Sequence, residues 1–196
     1  MDPLRNPFSP GAGAPPPALA GRDQILEAAR IALHRIRAGR PEKSQMLLGL
    51  RGVGKTVLLN TIAEMAGESR YYVIMLEAPE GQRLVRFLVP ELKGTLLRLD
   101  RVESAKEYVS RAVGALRGFA SAFNVSIGEV SIGVGEPSLA DSGNLEVDLP
   151  ALLLTVGQAA KAAESSVAIL IDEVQYLGQG DLRALIVAFH RIAQRG

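Results

Sequence analysis

The sequence contains no cysteine and only two histidines. Disulfide bonds and thiolate metal sites are therefore excluded, and two histidines cannot build a histidine-rich metal site. The net charge is +1 at pH 7, so there is no overall electrostatic case for a nucleic-acid or membrane partner. No apolar run approaches membrane-spanning length, and the N-terminus lacks the pattern of a secretory signal. We therefore expect a cytoplasmic protein with no membrane partner.

The composition that remains is that of a globular protein. Apolar residues make up 47% of the 196 residues, which is enough to bury a sizeable core. Residues 1–20 contain six prolines, and we predict that they form a Pro-rich extended arm outside that core. The folded domain is therefore predicted to occupy residues 21–196.

The most informative stretch is GLRGVGKT, residues 49–56, which has the spacing Gly-x4-Gly-Lys-Thr of a phosphate-binding P-loop (Walker A). Its glycines let successive backbone N–H groups curl around a phosphate. Lys55 would place a positive charge on the β- and γ-phosphates, and Thr56 would give a hydroxyl to Mg²⁺. The following helix would direct its positive end at the anion. The predicted nucleotide-binding residues of this stretch are Gly49, Arg51, Gly52, Val53, Gly54, Lys55, Thr56 and Val57.

The alternative to a P-loop is an ordinary glycine turn before a helix, and the flanking residues decide between the two. Residues 45–49 begin with a short, mostly apolar run that is typical of a buried strand. Residues 57–66 carry apolar side chains at helical spacing, and Gly67 follows as a stop signal. Because strand, glycine loop and helix form the context that a P-loop requires, we predict a nucleotide site.

The rest of the chain alternates strands with helices, which predicts an α/β fold. Further strands are expected at residues 71–77 and 167–172. Helices are expected from Asp23 to about 39, at 81–99 with a kink or break at Pro90, at 101–123, from a cap at Asp148 to 163, and at 181–194. Residues 125–134 alternate apolar with small or polar side chains around a Gly-x pair, which predicts a small β-hairpin. Such an insertion either contacts a partner or is a surface ornament.

A second chemical pattern is VAILIDE, residues 167–173, an apolar run that ends in two carboxylates (Walker B). A buried strand brings such a carboxylate to the carboxyl edge of the sheet, where ligands of open α/β sheets bind. Asp172 is predicted to hold Mg²⁺ through water, opposite Thr56. Glu173 is predicted to polarise water as a general base, and it forms the catalytic set with Lys55. The carboxylate pair favours an ATPase over a P-loop kinase.

These patterns together resemble the AAA+ ATPase domain of the bacterial origin-recognition-complex-like (ORC-like) and STAND-type ATP-binding proteins. The resemblance rests on residues 15–23 (PPPALAGRD), 49–59 (GLRGVGKTVLL) and 169–177 (ILIDEVQYL). It implies a three-layer αβα P-loop NTPase fold with a parallel sheet that binds ATP and Mg²⁺ at its edge. It also implies that Gly21 and Arg22 pack near the adenine. Alternatively, residues 21–23 form only a helix-start turn.

Compared with that family, the sequence provides only strands one, two and three. The sensor 1 strand, the arginine finger and the helical lid are not found, so the resemblance indicates an N-terminal fragment. The family's sheet order, 5-1-4-3-2, places strand four between the P-loop strand and the Walker B strand. Either these two strands pair directly, in the order 1-3-2, or the missing half lies on another polypeptide. We expect weak ATP binding, little or no hydrolysis and low stability of the isolated chain.

Three functions are compatible with these patterns. The first is an ATP-binding P-loop ATPase module that couples Mg-ATP binding, and hydrolysis in a complete form, to conformational change. The second is a non-hydrolysing, nucleotide-dependent regulatory module that meets a protein partner or self-associates through AAA+ surfaces. The third is a DNA-associated ATPase, by analogy with the ORC relatives. The charge pattern does not support DNA contact, because there is no excess charge and no basic patch with interleaved aromatics.

Overall fold

A computed structural model describes residues 21–50, 54–128 and 140–195 of the chain. The elements in these ranges are the helices α1 (Asp23–Arg37), α2 (Lys55–Glu68), α3 (Leu84–Leu99), α4 (Lys106–Ala122), α5 (Leu145–Ala162) and α6 (Gln179–Arg195), and the strands β1 (Tyr71–Glu77) and β2 (Ser166–Asp172). Two single 3₁₀ turns lie at Glu103–Ala105 and Val174–Tyr176. None of the described helices has both the length and the apolar composition that a membrane crossing requires.

The sheet of the described residues consists of β1 and β2, which pair in parallel. Tyr71 lies opposite Ser166 at one end, and Glu77 lies opposite Asp172 at the other. Parallel strands need a long crossover connection, and α3, α4 and α5 provide it. Both strands therefore end at the same edge of the sheet, and the segments that follow them leave from that edge.

One face of the sheet packs against α1 and α2. Side chains alternate between the two faces along a strand, and this face receives Val73 from β1 and Ala168 from β2. Both lie against a small buried cluster whose members are Leu33, Ala66 and Tyr71. The Tyr71 hydroxyl donates a hydrogen bond of 2.8 Å to the backbone oxygen of Leu33. This bond attaches α1 to the first residue of β1.

The opposite face carries the main hydrophobic core, which α3, α4, α5 and α6 share with the strands. Ile74 and Leu76 enter it from β1, and Phe119 is its largest fully buried side chain. The sheet thus lies between two helical layers, consistent with a P-loop αβα domain. Because apolar burial stabilises by roughly 25 cal/mol per Å², this side of the sheet holds most of the stabilising surface.

A buried carboxylate joins the start of α6 to the start of α3. Asp181 accepts hydrogen bonds from the backbone N–H of Leu84 at 2.7 Å and from the guanidinium of Arg83 at 3.1 Å. A buried charge is costly unless it is paired and hydrogen-bonded, and these two partners satisfy it. The carboxylate also lies at the positive end of α3, which favours its charge.

The strands predicted at residues 71–77 and 167–172 are confirmed as β1 and as most of β2. The predicted cap at Asp148 is wrong, because α5 begins at Leu145 and the side chain of Asn144 accepts a hydrogen bond from the Glu146 N–H. Asp148 instead accepts hydrogen bonds from the residues just before the helix. A break at Pro90 is also wrong, because α3 continues through it, with buried side chains on both sides of the proline.

The strand predicted at residues 45–49 is wrong, because this segment has no regular secondary structure. Leu48 is 84% exposed and Leu50 is 81% exposed, so the apolar run is not buried here. A strand forms where a neighbour satisfies its backbone N–H and C=O groups. β2 pairs only with β1 among the described strands. The sheet order 1-3-2, with the P-loop strand against β2, is therefore not found.

The predicted hairpin at residues 125–134 is not found in the part of it that the structure describes. Residues 125–128 have no regular structure, and residues 129–134 lie outside the described ranges. The Val125 N–H bonds to the Ala120 oxygen at 2.8 Å, and the Ile127 oxygen accepts from the Lys93 ammonium at 2.6 Å. The backbone groups of this segment are thus used by the end of α4 and by α3, rather than by a neighbouring strand.

Tyr71 is predicted to make the stability of the fold fall as the pH rises in the alkaline range. Burial raises the pKa of its phenol above the ordinary value of about 10, so the folded chain binds that proton more tightly than the unfolded chain. The stabilisation is complete below about pH 10 and is lost as the pH rises through the raised pKa. Tyr71→Phe removes the hydrogen bond to Leu33 and should lower the free energy of unfolding by about 1 kcal/mol at neutral pH. The difference between the wild type and this variant should then shrink above pH 10.

Urea unfolding of both proteins at neutral pH and above pH 10 measures this difference. Tyr108→Phe is the control, because Tyr108 is exposed and the loss of its hydroxyl should be nearly neutral. An unchanged difference between wild type and Tyr71→Phe across the two pH values would contradict the role of the buried phenol.

Candidate functional site

Helix α2 begins at Lys55, directly after Gly54, whose φ is +80°. This left-handed conformation is unfavourable for a residue with a Cβ atom, which is why a glycine is needed here. No side chain caps the helix among the described residues, and its first backbone hydrogen bond runs from the Leu58 N–H to the Gly54 oxygen. The N–H groups of the first turn therefore have no acceptor within the helix, and they point at the place where an anion would bind.

The side chain of Lys55 folds back toward residues 49 and 50. Its ammonium donates hydrogen bonds to the backbone oxygens of Gly49 at 3.0 Å and of Leu50 at 2.9 Å. An ammonium has three donors, and hydrogen bonds to an anion are stronger than those to a neutral carbonyl. A phosphate at the helix start would therefore compete well for this charge. The predicted residues Arg51, Gly52 and Val53 lie outside the described ranges.

The centre of the site is a hydrogen bond between the two sequence patterns. Thr56 Oγ1 donates to Asp172 Oδ2 at 2.6 Å, across a sequence separation of 116 residues. Asp172 is the last residue of β2, and the alternation of side chains places it on the face that carries Ala168 and that α2 covers. Its other carboxylate oxygen accepts from the Glu173 N–H at 2.8 Å. Asp172 is only 9% exposed, so both of its oxygens are held in place.

The donor set of this pair fits Mg²⁺ in the presence of phosphate. Mg²⁺ is usually bound through one or two carboxylates together with water and phosphate oxygens. Thr56 and Asp172 offer a hydroxyl and a carboxylate oxygen side by side. No group of three or more His, Cys, Asp or Glu side chains in the described ranges could hold a metal alone. The described residues thus suit a metal that arrives with a nucleotide.

Glu173 lies next to this pair, at the point where β2 ends. Its φ is +50°, a conformation that few non-glycine residues adopt. Its carboxylate accepts a hydrogen bond from the side-chain amide of Gln175. Because Lys55 and Glu173 are the chain neighbours of the bonded pair, the structure brings four predicted residues to one edge of the sheet.

The other predicted residues lie at the margins of the site. Val57 belongs to the first turn of α2 and is half-buried. Gly21 is exposed with φ +76°, and the Arg22 oxygen accepts the first hydrogen bonds of α1 from Ile25 and Leu26. These features are those of a helix start, and contact of Gly21 and Arg22 with adenine stays a prediction.

Gln175 is a residue of the site to which sequence reasoning gave no role. It lies in the 3₁₀ turn Val174–Tyr176, and its side chain bonds to Glu173. The one sequence feature that could have indicated this role is an amide side chain two positions after the predicted base, in the run DEVQYL. Sequence alone could not show that the turn folds this amide back onto the carboxylate.

Comparison with known proteins identifies the family of the chain. Searches of curated proteins and of solved structures gave no match. A family model for the AAA ATPase domain matches residues 18–196, a range that includes the whole site described above. The chain therefore belongs to the AAA ATPase domain family, whose members are P-loop nucleotide-binding proteins.

Proposed function

We propose that this chain is a P-loop ATPase module that couples the binding of Mg-ATP at the start of α2 to conformational change, with Glu173 as the general base where the ATP is hydrolysed. The observation that carries the proposal is the 2.6 Å hydrogen bond from Thr56 to Asp172. It joins the hydroxyl of the P-loop to the carboxylate at the end of β2, and both atoms are ligands that Mg²⁺ accepts. Membership of the AAA ATPase domain family supports the choice of nucleotide. The narrower ORC-like or STAND-type relationship stays a prediction.

Each residue of the site has a distinct role in this proposal. The N–H groups of the first turn of α2 and the Lys55 ammonium bind the β- and γ-phosphates. Thr56 and Asp172 hold Mg²⁺, which when bound neutralises charge on the phosphate oxygens. Glu173 orients a water molecule and takes its proton. If a phosphate takes over the hydrogen bonds that Lys55 donates to the carbonyl oxygens of Gly49 and Leu50, this segment loses two contacts and is free to rearrange.

That rearrangement supports a second candidate function, in which nucleotide binding acts as a switch without hydrolysis. The loop bonded to Lys55 carries three exposed apolar side chains, those of Met46, Leu48 and Leu50. Exposed apolar side chains that are grouped together mark protein interaction sites, and these three lie within five residues of one another. A loop that moves on nucleotide binding would present or withdraw them. A protein partner or self-association at this surface is thus the second proposal.

DNA association receives no support from the described residues. Two of the basic residues near the end of α1 have partners within the chain: Arg35 pairs with Glu42 at 2.6 Å, and Arg37 donates to the Glu164 oxygen. Cations at a helix C-terminus are favoured by the helix dipole, which accounts for their position. We therefore do not propose a DNA partner.

The metal role of Thr56 predicts a selective loss of affinity. Thr56→Val keeps the shape of the side chain but removes the hydroxyl. The affinity for a fluorescent ATP analogue in the presence of Mg²⁺ should fall roughly ten- to hundredfold, while the affinity measured in EDTA should be unchanged. Thr56→Ser, which retains a hydroxyl, is the matched control and should bind like the wild type. Equal Mg²⁺ dependence in wild type and Thr56→Val would exclude Thr56 as a ligand.

If Glu173 is the general base, its substitution should reduce ATP hydrolysis without reducing Mg-ATP binding. Glu173→Gln should retain Mg-ATP binding and lower the rate of phosphate release by about 10²- to 10⁴-fold, because the amide cannot accept the proton of the attacking water. Lys55→Met should instead weaken binding itself. Glu80→Gln, an exposed residue after β1, is the control.

Phosphate release and analogue binding are measured on the same protein samples. Turnover that survives Glu173→Gln would show that this residue is not the base. Tight, Lys55-dependent binding without any turnover in the wild type would favour the switch function over the enzyme.

A further inference from the structure

The backbone at Glu173 has a conformation that is unusual for a residue with a side chain. Its φ of +50° and ψ of +35° are left-handed, and its N–H donates to Asp172 Oδ1 at 2.8 Å. This conformation is uncommon for a non-glycine residue, and it persists where the surrounding structure favours it. The direction in which the Glu173 side chain leaves the strand is therefore determined by Asp172, which itself bonds to Thr56.

The turn after Glu173 is anchored at its other end by a buried side chain. Leu177 packs in the main core, and its N–H bonds to the Val174 oxygen at 3.1 Å. The Tyr176 N–H bonds to the Glu173 oxygen at 2.9 Å. With both ends held, the turn has little freedom, and Gln175 is kept within reach of the Glu173 carboxylate.

Gln175 makes a contact that no structural need explains. Its side chain is exposed, so burial does not require it to find a partner, yet its amide nitrogen donates to Glu173 Oε2. A glutamate side chain has three rotatable torsions, and a hydrogen bond to a fixed turn removes most of that freedom. An amide orients the carboxylate without adding a positive charge that would weaken it as a base.

We infer that Gln175 is a positioning residue that orients Glu173 for water activation. The inference rests on the hydrolytic function proposed above. General bases in enzymes are held by a third group so that one oxygen points at the proton it takes. Gln175 occupies Oε2 of Glu173, which leaves Oε1 for the water.

Gln175 neither accepts nor donates a proton in the proposed hydrolysis of ATP. The water oxygen forms a bond to the γ-phosphorus while the bond from that phosphorus to the β–γ bridging oxygen breaks, and its electron pair stays on ADP. The proton of the water passes to Glu173 Oε1 and then to solvent. The products are ADP, inorganic phosphate and one proton. Gln175 acts only through the orientation of the carboxylate.

The test is a double-mutant cycle in steady-state ATP hydrolysis with Mg²⁺. It compares the wild type, Gln175→Met, Glu173→Gln and the double variant, with Gln179→Met as a matched control at an exposed glutamine in the first turn of α6. Gln175→Met should lower kcat about ten- to hundredfold, with KM and Mg-ATP affinity changed less than about twofold. In the Glu173→Gln background the same substitution should have no further effect, because the group that it orients is gone.

Two results would overturn the inference while the proposed function stands. One is an unchanged kcat in Gln175→Met, and the other is a loss of the same size in the Glu173→Gln background. Thermal melts of the four proteins should coincide, which separates positioning from a loss of folded protein. Absence of Glu173-dependent turnover in the wild type would refute the proposed hydrolysis, and the inference with it, because there would be no base to orient. Absence of Lys55-dependent Mg-ATP binding in the wild type would refute the proposed nucleotide binding.

Discussion

The hydrogen bond between Thr56 and Asp172 is the contact on which the rest of the site depends. It fixes the start of α2 against the end of β2, two segments that are 116 residues apart in the sequence. It requires that α2 begin directly after a left-handed glycine and that Asp172 project from the face of the sheet that α2 covers. A shift of one residue in the register of β2 would turn this carboxylate to the opposite face. The chemistry of the site is therefore encoded in strand register as much as in residue type.

The two layers of helices hold that register from opposite sides. The main core fixes one face of the sheet through α3 to α6, while the smaller cluster around Tyr71 fixes the other through α1 and α2. Asp181 adds a polar link from α6 to the start of α3, close in sequence to the carboxylates of the site. The segment between Asp172 and Asp181 is thus anchored at both ends. Glu173 and Gln175 both belong to this short, anchored segment.

Much of this arrangement could be predicted from sequence, because its signals are local. β1 and β2 are nearly continuous apolar runs, as strands between two helical layers must be. The glycine, lysine and threonine at the start of α2 have few other uses at that spacing. The pairing of strands is not a local property, and residues 46–48 are apolar without forming a strand in the described chain. Asn144 and Asp148 are both capping residue types, so only the backbone decides which one is used. The hydrogen bond from Gln175 to Glu173 depends on the unusual φ of Glu173, which no sequence pattern predicts.

The central claim is that Thr56 and Asp172 form a metal site for a bound nucleotide. The most direct measurement is a crystal structure of the chain with Mn²⁺ and a non-hydrolysable ATP analogue, in which anomalous scattering locates the metal. The account predicts a metal peak at coordination distance from Thr56 Oγ1, with Asp172 bound to it directly or through water, and with phosphates at Lys55 and the start of α2. A nucleotide bound elsewhere, or a metal peak away from an intact bond between Thr56 and Asp172, would contradict it.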